Sequence, residues 1–345
     1  LCKHCFVHYP ALTDHKCVIT PKKISKKLNH QFIFYDIEAM MIDVPENPKL
    51  NKEHIPNLVV AHRVCQPCAD DVNRSHRKCA ICCEVTFQGT SCIADFLAWV
   101  FLPENRDSTC LAHNMSGYDG LFIFRELHKQ GKSPEIINRG QKIIQITLKK
   151  ACIRFVDSLN FLVAPLSSLP KMFGLVALKK GFFPHEFNTL QNQTYIGVYP
   201  PKNTFCPDSM KGGTSEKTGV NTGERGDFDI FYETVKDQVF DLQKELYEYC
   251  AQDVVILRDA CLRFRSDFMI QTGIDPLTQH VTLSQLAMDF FRSKFLKPDT
   301  IAKIGSITHQ SEERQSKRGM QWLLYIEKQL GRSLVKKSSV GEHKV

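Results

Sequence analysis

Apolar and polar positions alternate along this chain in two rhythms. Residues 31–38 (QFIFYDIE) form a dense β-branched and aromatic run ending in two acids, which predicts a central strand with carboxylates at its edge. Further strands are predicted over 57–64, 108–112, 141–148 and 152–158. Apolar residues at helical spacing predict helices over 93–102, 118–128, 241–269, 282–296 and 312–330. Thr282 and Gln285 have the spacing of a capping box, and Gly331 suits a helix stop. The stretch 188–227 contains Pro200-Pro201, Gly212-Gly213 and many polar residues, and reads as a long surface insertion. Strands come first, helices interleave and then dominate, so the pattern predicts a mixed sheet flanked by helices and followed by a helical extension.

Length and composition narrow the class. The 345 residues allow two or three domains, and 43% hydrophobic with 24% charged residues excludes disorder throughout. No apolar run approaches the roughly 18 to 20 residues of a membrane span, and no secretory leader pattern opens the chain, so no membrane partner is expected. The chain starts at Leu1 and reads as a piece of a longer reading frame. A net charge of +8, with Lys22, Lys23, Lys26 and Lys27 ahead of the first strand, fits a polyanion partner and equally fits a solvated surface.

Many of the fourteen cysteines stand in pairs two residues apart, which is metal-ligand spacing and favours a reducing intracellular compartment. Cys65 and Cys68, with Cys79 and Cys82, can place four thiolates around one structural Zn²⁺, with Cys83 spare or an alternative ligand. Cys2, Cys5, His15 and Cys17 resemble a truncated zinc finger, although His15 and Cys17 stand closer together than usual.

Three segments carry acids able to converge. Asp36 and Glu38 point to the same face of a strand. Asp119 opens a helix after the turn His113-Asn114-Met115-Ser116-Gly117-Tyr118, and Tyr249 and Asp253 lie one helical turn apart. Singly, each has a structural reading: a solvated strand edge, a helix cap, an amphipathic face. Together, YDIEAM, AHNMSGYDG and YCAQDVVIL resemble the three exonuclease motifs of family B DNA polymerases, in order. Ser158-Leu159 and Lys180-Gly181-Phe182-Phe183 resemble two further motifs of the protein-primed subgroup, and the flavour of the cysteine insertion is similar to polymerases of Polinton or Maverick transposons. The likeness covers approximately residues 31–330.

The resemblance implies an RNase H-like 3′-5′ exonuclease domain over 31–272, with the zinc insertion at 60–90 and the loop insertion at 188–227. A zinc-finger-like basic segment over 1–30 would precede it, and a helical linker over 273–345 would lead toward a polymerase palm. Two Mg²⁺ or Mn²⁺ ions would be held by Asp36, Glu38, Asp119 and Asp253, with Asp36 shared between them. Tyr249 would orient the attacking water, and Lys180 would approach the scissile phosphate. Asn114, Tyr118, Ser158, Leu159 and, with weaker support, His113 would hold the 3′ end; His185 reads as structural. Expected partners are single-stranded DNA, primer-template DNA and a terminal protein primer, with nuclear residence following from the transposon likeness.

Ala39 stands where related proteins often carry a threonine that contacts DNA. The palm motifs needed for polymerisation are absent from this chain, so it would proofread rather than polymerise, as a truncated gene or transposon remnant would. The alternatives are a free-standing exonuclease and a catalytically inactive transposon-derived module that binds DNA or protein through its zinc knuckle and basic patch.

Overall fold

The computed structural model describes residues 17–23, 30–43, 52–71, 79–175, 177–207, 210–211, 223–302, 325–326 and 328–329. In chain order the strands are β1 (Gln31–Asp43), β2 (Lys52–Val64), β3 (Cys83–Gln88), β4 (Ser108–Ala112), β5 (Glu135–Arg139), β6 (Lys142–Leu148), β7 (Ile153–Asp157), β8 (Ile196–Val198) and β9 (Val239–Asp241). The helices are α1 (Gln66–Asp70), α2 (Cys92–Val100), α3 (Asp119–Lys129), α4 (Leu169–Met172), α5 (Gly223–Val235), α6 (Leu242–Thr272), α7 (Pro276–Gln279) and α8 (Leu283–Lys294). Among the described residues, no helix is long and apolar enough to cross a membrane.

Seven strands form one mixed sheet in the order β3-β2-β1-β4-β7-β6-β5. The β1/β4 and β4/β7 pairs are parallel, whereas the outer pairs are antiparallel. Because side chains alternate across a strand, β1 feeds two cores. Phe32 and Phe34 join Leu58, Val60, Leu111 and Val156 beneath the apolar stripe of α6, including Leu246, Cys250, Val254 and Leu257. Ile33, Tyr35 and Ile37 join Val59, Cys110, Phe155 and the inward residues of α2 and α3 on the opposite face. This alternation puts Asp36 and Glu38 on the α6 side, where β1 emerges from the core.

The predicted strand 108–112 coincides with β4, and 57–64, 141–148 and 152–158 fall on β2, β6 and β7. Strand β1 continues to Asp43, and the helices predicted over 93–102, 118–128, 241–269 and 282–296 fall on α2, α3, α6 and α8. Gln285 N donates to Thr282 Oγ1 at 3.2 Å and Gln285 Oε1 accepts from Val281 N at 3.0 Å, a near relative of the capping box.

The stretch 188–227, mostly exposed or half-buried where it is described, is anchored to the core at a few positions. Asn188, Tyr199 and Phe205 are buried, and α5 begins at Gly223. The reason is aromatic packing: Tyr199 meets Phe240 at 5.0 Å and Phe205 meets Phe228 at 5.2 Å between ring centroids. Polar and Pro/Gly content disguised a segment anchored by widely spaced aromatics.

Residues 208–209 and 212–222 of that stretch, Gly212-Gly213 among them, lie outside the described residues. So do Cys2, Cys5, His15, Lys26, Lys27, Gly331 and the helix predicted over 312–330, apart from residues 325–326 and 328–329.

The chain divides into two compact units. Lys23–Phe291 contains the sheet and α6, and also takes in α7, which the sequence assigned to a separate linker. In the other unit, Leu1–Lys22 with Arg292–Val345, Val18 bridges to Ala302 and Ile19 N donates to Ile301 O at 2.8 Å.

Candidate active site

Asp36, Glu38, Asp119 and Asp253 line one cavity of about 450 Å³, together with His113, Asn114, Tyr118, Lys180, His185 and Tyr249. Four segments build it. Strand β1 delivers the first two acids; the β4–α3 turn delivers Asp119; the chain after α4 brings Lys180 and His185; and α6 brings Tyr249 and Asp253 one turn apart.

The turn after β4 shows how local chemistry fixes the geometry. Asn114 takes a left-handed conformation (φ +63°), which its short polar side chain tolerates. Gly120 is required by close approach: a Cβ there would lie 2.9 Å from the Met115 carbonyl oxygen, so a side chain would push α3 and Asp119 away. Asp157 ties this turn to the next loop. Its carboxylate is buried, with Oδ2 accepting from Ser116 N and Oδ1 from Leu159 N, each at 2.9 Å.

A bulge shapes the other wall. The β1/β2 register shifts between Glu38 and Ala39, leaving Asn57 of β2 as an extra residue. Its buried amide donates to Asn188 Oδ1 at 2.9 Å, while Asn188 donates to Ala39 O at 3.2 Å. These bonds seat the 185–188 turn beside the middle of β1, and His185 Nδ1 comes 3.9 Å from Glu38 Oε2.

Crowded acids in a buried pocket resist ionisation. Burial, then Asp253, pushes Asp36 up to about 6. Burial, then Asp36, raises Glu38 and Asp119 well above the usual carboxylate range. Burial also raises Asp253, against the pull of Lys180. Asp119 Oδ1 and Asp253 Oδ1 are buried without a hydrogen-bond partner among the described residues.

Lys180 pairs with Asp253 and sits 4.8 Å from the Tyr249 ring centroid. Burial works against its charge, but Tyr249 and Asp253 more than compensate and hold its proton firmly. The Tyr249 ring is braced by Phe183 at 5.5 Å and His185 at 5.4 Å. Burial pushes His185 down to about 4, so its imidazole is neutral at physiological pH.

Not every expected DNA contact presents binding groups to the cavity. Asn114 and Tyr118 do, and the Tyr118 hydroxyl lies 3.1 Å from His54 Nδ1. His113 has both ring nitrogens engaged within the protein, Nδ1 with Ser158 Oγ and Nε2 with Ala164 O, each at 2.9 Å. Since a carbonyl can only accept, Nε2 carries the proton and Ser158 donates to Nδ1. Ser158 is fully buried and Leu159 gives its N–H to Asp157, so this pair braces the cleft wall.

Sequence reasoning passed over Asp157, Asn57 and Cys250, whose Sγ donates to Asp36 Oδ2 at 3.7 Å, and gave His185 only a structural part. Asp157 had a usable signal, an acid directly before a Ser-Leu turn, where a carboxylate caps free N–H groups. The other three owe their place to long-range packing.

The second cluster, Cys65, Cys68, Cys79 and Cys82, has all four sulfurs within 4.8 Å of one another. Cys65 Sγ is 3.7 Å from both Cys79 Sγ and Cys82 Sγ, far beyond a disulfide and close to the roughly 3.8 Å edge of a tetrahedron with 2.3 Å Zn–S bonds. Backbone N–H groups of Cys82 and Ile81 pull the Cys79 thiol down to about 6, into thiolate form at neutral pH.

A mixed sheet with acids from the middle of β1 facing acids from α3 and α6 describes a class of fold and site; comparison with known proteins gives the family. The family model for DNA polymerase type B, organellar and viral, matches residues 102–328. The chain belongs to this family, as the order of its acidic motifs led us to expect. A probable DNA polymerase of Neurospora intermedia is 30% identical over 208 residues, covering 57% of this chain and 20% of that protein. One of Ascobolus immersus is 30% identical over 210 residues, covering 58% of this chain and 16% of that protein. The chain therefore spans about a fifth or less of the curated relatives it matches. Phi29 DNA polymerase complexed with single-stranded DNA aligns with a TM-score of 0.39 and 15% identity over 72% of this chain and 33% of that one.

Proposed function

We propose that this chain is the 3′-5′ exonuclease part of a protein-primed type B DNA polymerase, built on an RNase H-like core, that trims single-stranded DNA from its 3′ end. The observation that carries the reading is the meeting of Asp36, Glu38, Asp119 and Asp253, distant in sequence, around one cavity with Tyr249 and Lys180. Such a set is electrostatically costly unless cations neutralise it, and the unpartnered oxygens of Asp119 and Asp253 supply ready donors. The donors are hard oxygens, which suit Mg²⁺ or Mn²⁺. Bound there, two divalent cations would activate the attacking water and neutralise charge on the scissile phosphate.

The protein groups do the rest. Asn114 and Tyr118 would hold the terminal nucleotide, the ring of Tyr118 giving its base a stacking surface. The Tyr249 hydroxyl, held protonated by burial, would orient water in line with the phosphorus–oxygen bond to be broken. Water oxygen joins phosphorus, the bond to the 3′-oxygen breaks, and that oxygen takes up a proton as a 5′-mononucleotide leaves. Lys180 would turn from Asp253 toward the phosphate and stabilise the charge that develops there. We assign the Cys65, Cys68, Cys79 and Cys82 cluster to a structural Zn²⁺, since four thiolates close the coordination sphere.

The test is digestion of 5′-labelled single-stranded DNA in Mg²⁺. Wild type should give a ladder of shortening products, and Asp36→Ala and Glu38→Ala should slow it by at least about 100-fold. Equal inertness of all three proteins, with salt-sensitive DNA binding retained, would replace this reading with that of a binding module.

A further inference from the structure

The four-cysteine cluster has a mechanical connection to the catalytic helix. It sits where β2 ends and β3 begins, and the ladder between those strands stops at Arg63 and Cys83. Beyond that rung the described backbone forms two wings, α1 after Cys65 and the turn around Cys79 to Cys82. Both wings grip α6. Arg265, 1% exposed, donates through Nη1 to Ala69 O and through Nη2 to Asp70 Oδ1, each at 2.7 Å, so α1 is bonded to the far half of the helix. Glu84, two residues past Cys82, accepts from the Tyr247 hydroxyl at 2.6 Å near the helix start. Between them His62, three residues before Cys65, lies 2.6 Å from Arg258 Nη1.

These three attachments span Tyr247 to Arg265, about 27 Å of helix at 1.5 Å per residue, and they bracket Tyr249 and Asp253. Cys65, Cys68 and Ala69 are also buried in the same core as Cys250, Val254 and Leu257. A helix held at both ends and its middle can neither slide nor rotate, and about 1 Å of displacement at a reacting group is enough to cost roughly 100-fold in rate.

We infer that the Cys65, Cys68, Cys79 and Cys82 site is a zinc-dependent clamp that sets the seating of α6, and through it the placement of Tyr249 and Asp253 in the catalytic cavity. This rests on the zinc and exonuclease readings above. It assigns the knuckle a positioning role: without the ion, both wings lose their common anchor and the helix loosens around the catalytic turn.

The experiment measures zinc content, amide hydrogen exchange across residues 242–272 and exonuclease rate in the full chain. Zinc-loaded protein, zinc-stripped protein and the Cys65→Ser/Cys68→Ser variant are compared, with Cys83→Ser as a control outside the cluster. The expected result is one zinc per chain in wild type and Cys83→Ser and loss of zinc in the double variant. Loss of zinc should bring faster exchange along α6 and a fall in rate of roughly 10- to 100-fold. Exchange reports on the clamp whether or not the chain digests DNA, so an inert enzyme with zinc-dependent α6 protection would defeat the exonuclease reading alone.

Wild type without zinc, or α6 exchange indifferent to zinc, would overturn the clamp. Should the stripped protein unfold altogether, Glu84→Gln/Tyr247→Phe, which leaves the cysteines intact, decides. Zinc retained with faster exchange near residues 245–253 supports the clamp, and unchanged exchange there overturns it.

Discussion

At the scale of single residues, the acids that meet in the cavity were legible because backbone periodicity fixes the face each one takes. Asp36 and Glu38 share a strand face, and Tyr249 and Asp253 share a helix face, whatever the rest of the chain does. The groups that brace them were less legible. His113 and Ser158 look like DNA ligands in sequence but are bonded to each other, and Asp157 beside them is the keystone of two loops. Asp157→Asn leaves a single acceptor oxygen for two N–H groups, so one of them must face an amide donor. The expected cost is about 1 to 3 kcal/mol in urea denaturation. KM for single-stranded DNA should also rise more than kcat falls, because the loop that presents Asn114 and Tyr118 loses its tie; unchanged stability would show the carboxylate to be dispensable.

At the scale of elements, strong periodicity predicted β4, α3 and α6 well, while short pieces escaped. Strand β3 lies inside the 60–90 cysteine insertion, β5 is mostly exposed, and β8 and β9 are three residues each, so none carries a long hydrophobic pattern. The bulge in β2 was equally invisible, since nothing in the composition of a strand announces an extra residue. Its consequence is testable. Asn57→Ala removes the donor to Asn188 and Gln193 and should cost about 1 to 3 kcal/mol. It should also free the 185–188 turn, seen as faster hydrogen exchange there with little change in β4; equal exchange in both segments would deny the bulge this role.

At the scale of the whole molecule, the fold concentrates acid in one largely buried cavity, and that choice governs its response to pH. Asp36 ionises at about 6 in the fold against 3.8 for a free aspartate, so the folded state holds its proton more tightly than the unfolded chain. Stability from this group is fully present below pH 3.8 and is lost as pH rises through about 6. Glu38 and Asp119 shift in the same direction and extend the loss upward. Thermal denaturation without added divalent cation should therefore show this contribution falling from pH 4 to pH 7, with Mg²⁺ restoring more stability at pH 7 than at pH 5. A Mg²⁺ effect independent of pH would remove the carboxylates from the explanation.

The claim on which the account depends is that acids from β1, α3 and α6 act as one cation site, and binding measures this most directly. Electron paramagnetic resonance of Mn²⁺ titrated into the zinc-loaded chain, with a single-stranded oligonucleotide carrying a hydrolysis-resistant 3′ linkage, counts the bound ions. The account predicts two Mn²⁺ per wild-type chain and loss of binding in both Asp36→Asn and Asp253→Asn, because each acid serves the same centre. Absence of Mn²⁺ binding in wild type, or undiminished binding in both variants, would contradict it.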